Sequence, residues 1–415
     1  MSILRAAGLA AVASLFLTVP ALPQEKKTED SLPPAVEKKV AGPSQSKTNR
    51  GFSEKRLRWL VSASSVSQFT NANGVWQDGM LGLSRDGQGN LWALVGHTGI
   101  GELSVWEGST VDDLERKYFV KYNFELGQAG KAFDGIAYPD GPRSRGWIWP
   151  FALWVDTRDG KFYAYIHNET GWGAAETSYG ALGRNEGEPD FRHIGLMVSG
   201  DRGQTWDFKG WIITSHEPAW TNRYRPDRMK GGQDTDVVLL GAGDHSLFVN
   251  SRDGYMYIFY GQTAHDLKTN SARRDYVYVA RAPIESKGLP GEWQKYFEGS
   301  FSEPGNMGKE TAVLEGGAEP NVAYDTYLRK YLLTTYSRSL WHSKLGACQI
   351  SFSDDLVHWT KAVPLAPDRG DLSMPYFTMS NMDASGPTNV LGRVFRLFAG
   401  SNGTDVKKAA VIIEP

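Results

Sequence analysis

Three observations predict an all-β fold, a five-bladed β-propeller with four-stranded antiparallel blades. A strand–turn–strand shape such as "LWVDTRDGKFYAYIHNE" (153–169) recurs five times along the chain. A second strand–turn unit ending in Trp follows several of these hairpins. The 415 residues include 46 Gly, 14 Trp and 18 Tyr, a composition suited to short strands packed through aromatics and joined by many turns.

Each hairpin pairs an apolar strand with a second strand of alternating large residues. Its other members are "LGLSRDGQGNLWALVG" (81–96), "LFVNSRDGYMYIFYG" (247–261), "VAYDTYLRKYLLTTYS" (322–337) and "VLGRVFRLFAG" (390–400), the last two sharing mainly the second-strand half. Three hairpins turn at Asp-Gly, a favoured two-residue turn because both residues tolerate positive φ. Asp86, Asp159 and Asp253 are therefore read as turn residues. With Trp92, Tyr163, Tyr257, Tyr331 and Phe395 taken as equivalent, successive repeats are 64 to 94 residues apart. That spacing is too long for the single strands of a sandwich and fits one blade per repeat. The second unit reads "VSGDRGQTW" (198–206), "VYVARAPIES…GEW" (277–293) and "ISFSDDLVHW" (350–359), which puts Asp201 and Asp355 in outer turns. Two hairpins per repeat make the four strands of a blade.

The amino terminus, "MSILRAAGLAAVASLFLTVPA", has a basic residue, an apolar run too short to span a bilayer, and small residues before a cut after Ala21. It reads as a signal peptide over 1–21, and no membrane anchor is expected after it. Residues 22–50 are charged, Pro/Ser-containing and aperiodic, as in a disordered linker. Residues 51–415 then form one propeller domain, and the expected location is secreted or periplasmic. A formal net charge of −2, from 45 basic and 47 acidic residues, argues against nucleic acid as a partner, because such binding needs clustered positive charge. Cys348 is the only cysteine, so neither an intramolecular disulfide nor a cysteine metal cluster can form, and it reads as a small buried side chain. No phosphate-binding loop, nucleophile elbow or zincin motif occurs in a suitable context.

The segment from Ser199 to Trp206 matches the S-x-D-x-G-x-T-W Asp-box of sialidase-type propellers. Ser353, Asp355 and Trp359 form a similar strand–turn–Trp element. The order of "QDGMLGLSRDGQGNLWALVGHT", "GDHSLFVNSRDGYMYIFYG", "ARAPIES…GEW" and "EPNVAYDTYLRKYLL" resembles the five-bladed furanosidases, the arabinanase, xylosidase and fructosidase superfamily, and related secreted propellers. The likeness covers most of 70–400. It implies a glycoside hydrolase acting on a carbohydrate substrate, with inversion favoured.

In a propeller the first strand of each hairpin lines a central funnel, so polar groups at its start converge from different blades. Asp78, Asp244 with His245, and Glu319 before Pro320 hold such positions. His167 and Glu169 end the second strand of the second hairpin instead. Glycoside hydrolysis needs one protonated carboxyl to serve the leaving oxygen and one ionised carboxyl to activate water or attack. The resemblance implies Asp78 as base, Glu319 as acid and Asp244 as the group that tunes the acid, with Glu169 competing for the acid role. His167, His245, Trp149, Trp172 and Arg225 are read as substrate-binding, Trp for stacking on sugar rings and Arg for an acidic group. Trp147, Trp220 and Tyr179 are further stacking candidates, and a long insert over 170–193 lies beside the mouth. No cofactor is required, and a structural or funnel-bound calcium ion is compatible with the arrangement. The alternatives are a carbohydrate-binding propeller without catalysis and a sialidase-like hydrolase, which would need an arginine triad and a nucleophilic tyrosine.

Overall fold

The Asp-Gly hairpins form where the sequence places them. A computed structural model describes residues 57–97, 103–122, 136–141, 144, 146–170, 191–216, 237–266, 271–337, 346–400 and 405–414. The predicted signal peptide and linker lie outside these residues, as do positions 171–190 of the insert, with Trp172 and Tyr179, and also Trp220 and Arg225. The described residues form five sheets and only short 3-10 helices.

Blade one runs Gly82–Arg85, Leu91–Val95, Ser104–Gly108 and Glu115–Phe119. Blade two runs Trp147–Val155, Phe162–Glu169, Arg192–Ser199 and Thr205–Ile213. Blade three runs Gly243–Asn250, Tyr255–Asp266, Ser271–Pro283 and Gln294–Phe297, with Ser300–Pro304 added at its edge. Blade four runs Ala318–Asp325, Lys330–Tyr336, Cys348–Ser353 and Val363–Pro364. In blade five the inner strands Phe377–Ser380, Val394–Ala399 and Lys407–Glu414 are completed by Arg58–Val61, from the other end of the domain. That outer strand, absent from the repeat reading, ties both ends of the domain into one sheet.

Large side chains fill the spaces between blades. Trp92, Val105, Phe162 and Trp206 pack blade one on blade two, and Tyr165, Ile258 and Trp293 pack blade two on blade three. Phe259, Val279 and Leu333 join blades three and four, and Phe69, Leu91 and Phe398 join blades five and one. Trp59 of the closing strand stacks on Phe352 of blade four at 6.1 Å. Asp201 of the outer turn accepts from Thr205 N and Thr205 Oγ1, while Trp206 beneath it is fully buried and donates to Gly203 O. Asp112 pairs with Arg396 and Lys408 and so fastens blade one to blade five. Cys348 is buried, and burial pushes its thiol well above the usual value.

The first strand of each hairpin is innermost, and each packs against the next around the ring. Leu81 N donates to Thr378 Oγ1 at 3.0 Å between blades five and one, and Met379 N donates to Asn321 Oδ1 at 2.9 Å between blades five and four. These strands enclose an axial cavity of about 780 Å³, walled by Leu83, Leu153, Val249, Val322 and Met379 and reaching up to Phe151.

The innermost strands of blades two, three and four share one irregularity. Register shifts between Trp149 and Ala152, between Gly243 and Ser246, and between Ala318 and Asn321, always near the start of the strand. Such bulges bend a strand and re-aim one side chain. In blades three and four the re-aimed residues are Asp244 and Glu319, both with positive φ, at 43° and 54°. Pro150 holds the corresponding place in blade two.

Candidate functional site

All five blades meet at the mouth above Phe151. Asp78 comes from the segment leading into blade one, Glu169 from the end of the second strand of blade two, Asp244 and Glu319 from the bulges, and Tyr376 from the residue before the innermost strand of blade five. The electrostatics show that they share one place. Glu169 and Asp244 both act on Asp78, and all four carboxyl groups act on Tyr376.

Two of the carboxylates are anchored by one cation. Arg192 Nη1 lies 2.5 Å from Asp244 Oδ2, and Arg192 Nε lies 3.3 Å from Glu169 Oε1. His167 joins them from below. Asp244 N donates to His167 Nδ1 at 3.1 Å, so the ring proton belongs on Nε2, which lies 3.1 Å from Glu169 Oε1. Phe151 stacks on His167 at 4.9 Å and nearly parallel, and Trp149 meets the same ring edge-on at 5.4 Å. Gly243 is required here because a Cβ would lie 2.4 Å from His167 Cε1.

Asp78 is held differently. It is partly buried and its Oδ1 has no hydrogen-bond partner among the described residues. Burial is the main cause that raises its carboxyl from 3.8 to about 7, with Glu169 and Asp244 adding to the shift and Arg192 and the Tyr376 phenol opposing it. Such a group is poised to take or give a proton near neutrality. Gln77 fixes the turn that presents it: its amide nitrogen donates to Gly79 O and Met80 O at 2.9 Å, and its Oε1 accepts from Gly96 N at 2.8 Å. A Cβ on Gly79 would lie 1.8 Å from the Phe151 ring. Gly79→Ala is therefore expected to push the buried Phe151 ring aside, displace Asp78 and destabilise the fold by about 1–3 kcal/mol; an unchanged midpoint of denaturant unfolding would show that this contact does not hold the turn in place.

Glu319 is 4% exposed and accepts from Tyr376 N at 3.4 Å. Tyr376 itself has φ of 62° and its ring packs 5.7 Å from Phe151. Around the wall, His97 stacks on Trp149 at 5.4 Å, and burial lowers its imidazole to about 4, so it is neutral at working pH. Trp147 beside it is partly exposed.

The structure thus brings together Asp78, Glu169, Asp244, Glu319, His167 and Trp149. His245 lies deeper, fully buried, with Nε2 3.2 Å from Tyr165 O, and burial lowers its imidazole to about 3. Trp149 and His167 are also almost fully buried and stand behind the carboxyl groups, while Trp147 and Tyr376 offer the accessible aromatic surface. Sequence reasoning missed Arg192, Tyr376, His97 and Gln77. Only Arg192 left a trace, as a cation opening the otherwise apolar strand Arg192–Ser199 that pairs with His167 and Glu169. Among the described residues, no group of three or more His, Cys, Asp or Glu side chains is arranged to hold a metal ion.

No family model matches the chain, and no curated protein matches it. Among solved structures it is similar to a family 43 β-1,3-galactosidase with galactodeoxynojirimycin, at 14% identity over 86% of this chain and 94% of that one, with a TM-score of 0.46. It is similar to a family 117 glycoside hydrolase of the marine bacterium Zobellia galactanivorans, at 12% identity over 86% and 90% of the two chains and a TM-score of 0.45. An exo-β-1,3-galactanase from Phanerochaete chrysosporium with galactose gives 10% identity over 84% and 64%, and a TM-score of 0.44. At such identities the likeness is one of fold.

Proposed function

We propose that the protein is a secreted or periplasmic glycoside hydrolase that cleaves a poly- or oligosaccharide by paired-carboxyl acid/base catalysis, with inversion. One observation carries this reading: carboxyl groups from four blades, far apart in sequence, converge on Tyr376 of the fifth, and one of them is raised to about 7 with an unpartnered oxygen. Two carboxyl groups in unlike environments are what glycosidic cleavage needs. Asp78, whose buried Oδ1 has no hydrogen-bond partner among the described residues, serves as base and activates water. Glu169, bound by His167 and Arg192, is held as an anion, which suits a positioning group better than an acid. Glu319, buried at its bulge in blade four, takes the part of proton donor to the leaving oxygen that the resemblance implies. Asp244, ion-paired to Arg192, supplies fixed negative charge beside them. This route uses only side-chain proton transfer and calls for no cofactor.

The test is a screen of the purified protein against arabinans, fructans, galactans and sulfated algal glycans, reading released reducing ends, with the product anomer followed by NMR. Turnover of one class, lost in Asp78→Asn and Glu319→Gln, is the expected result. Saturable glycan binding without turnover would instead make the protein a carbohydrate-binding propeller.

A further inference from the structure

The axial cavity takes no part in the chemistry at the mouth. Its volume of about 780 Å³ lies in the range of about 300–1,000 Å³ in which proteins hold small molecules, between apolar walls with a few placed polar groups. Phe151 roofs it and stands between it and the carboxyl groups. Its other end opens at the opposite face, where exposed Gln88, Thr157, Ser251 and Ser385, from blades one, two, three and five, form the rim. Ser246, Asn321 and Thr378 line the inner end, each two residues beyond a mouth residue, Asp244, Glu319 or Tyr376. Asn321 Oδ1 and Thr378 Oγ1 are committed to Met379 N and Leu81 N. Ser246 differs: it is 2% exposed, and its Oγ has no hydrogen-bond partner among the described residues. A buried hydroxyl left unpaired is costly, and a bound partner recovers that cost. We propose that the axial cavity is a second binding site, entered from the face opposite the mouth, for a neutral, largely aliphatic molecule whose hydroxyl or carbonyl oxygen meets Ser246. This site is independent of the hydrolase reading.

The walls decide the class of ligand. Leu83, Leu153, Val249, Val322 and Met379 are aliphatic, and the charged side chains among the described lining residues are Arg85 and Asp86, beside the rim. Arg85 donates to Gly89 O, Ser109 O and Asp383 O, and Asp86, Asp113 and Asp383 balance its charge. Asp86 accepts from Asn90 N and Trp92 Nε1. Neither offers a counter-charge further in, and an unpaired charge between aliphatic walls is strongly disfavoured. A sugar carries a hydroxyl on almost every carbon, more than the inner cavity can pair, and those facing leucine and valine would stay unsatisfied. An aliphatic chain with one polar end leaves none.

The test adds 1-hexanol to the full chain with its methionine methyl groups labelled with carbon-13 and read by NMR. The Met379 signal is identified by its loss in Met379→Leu. It should shift saturably, while those of Met197 and Met256, buried between other blades, stay in place. Hexanoate, the same chain with a carboxylate, should bind at least tenfold more weakly. Ser246→Ala should weaken hexanol about fivefold, the value of one net hydrogen bond, without lowering the melting temperature. Val249→Phe, which fills the cavity, should abolish the shift, and Ser246→Ala carries the test should that larger side chain prevent folding. No saturable shift, as in a cavity that holds only water, overturns the proposal. So does equal binding of hexanoate, or hexanol affinity unchanged in Ser246→Ala.

Discussion

Asp78→Asn should abolish turnover and leave the protein more stable above pH 7. Loss of a general acid or base costs about 10²- to 10⁴-fold in kcat. The stability gain follows from linkage. Asp78 is raised from 3.8 to about 7 in the folded protein. Between those values the unfolded chain releases its proton before the folded one does, so stability falls as pH rises through that window. Each pKa unit is worth about 1.4 kcal/mol, which sets a ceiling of about 4 kcal/mol, and the partial exposure of the carboxyl reduces it to about 2. Asparagine carries no charge, so denaturant unfolding should show a gain of that order at pH 8 and almost none at pH 4. Glu319→Gln should match the loss in kcat on native glycan but recover much of it on an aryl glycoside whose phenol departs unprotonated. Asp78→Asn should show no such recovery, because a good leaving group does not replace activation of water. Recovery in both variants, or in neither, would reverse or remove the assigned roles.

The repeated hairpins made the blades legible because strand alternation and Asp-Gly turns are local signals, and Asp86, Asp159 and Asp253 indeed sit in the turns they marked. The carboxyl groups were legible for a related reason. Asp244 and Glu319 each follow a small residue at the start of an innermost strand, where a bulge turns the side chain toward the mouth. Tyr376 was not legible because its place depends on φ and on a contact with Glu319, 57 positions away, and no local pattern encodes either. The closing strand Arg58–Val61 was missed for the same cause: its partner, Lys407–Glu414, lies at the other end of the domain. Trp149 shows the limit of composition. An aromatic beside the mouth suggests a sugar platform, but its neighbours His97 and His167 enclose it, and Trp147 two residues earlier is the one left accessible.

Arg192→Met should be the most destabilising single change at the mouth. The guanidinium lies between Glu169 and Asp244, and both carboxyl groups are largely withdrawn from water, with side-chain exposures of 13% and 7%. Removing one member of a buried pair leaves uncompensated charge and costs about 3–5 kcal/mol, here nearer about 3 because the arginine side chain keeps 20% exposure. Arg192 also opposes the upward shift of Asp78, so its loss should raise that group further and carry the acidic limb of the rate profile with it. The double variant Arg192→Met/Asp244→Asn removes one stranded charge and should regain part of the stability but none of the activity, because Asp244 is needed beside the acid. No regain in the double variant would mean that the arginine acts by packing and not by holding the two carboxylates in place.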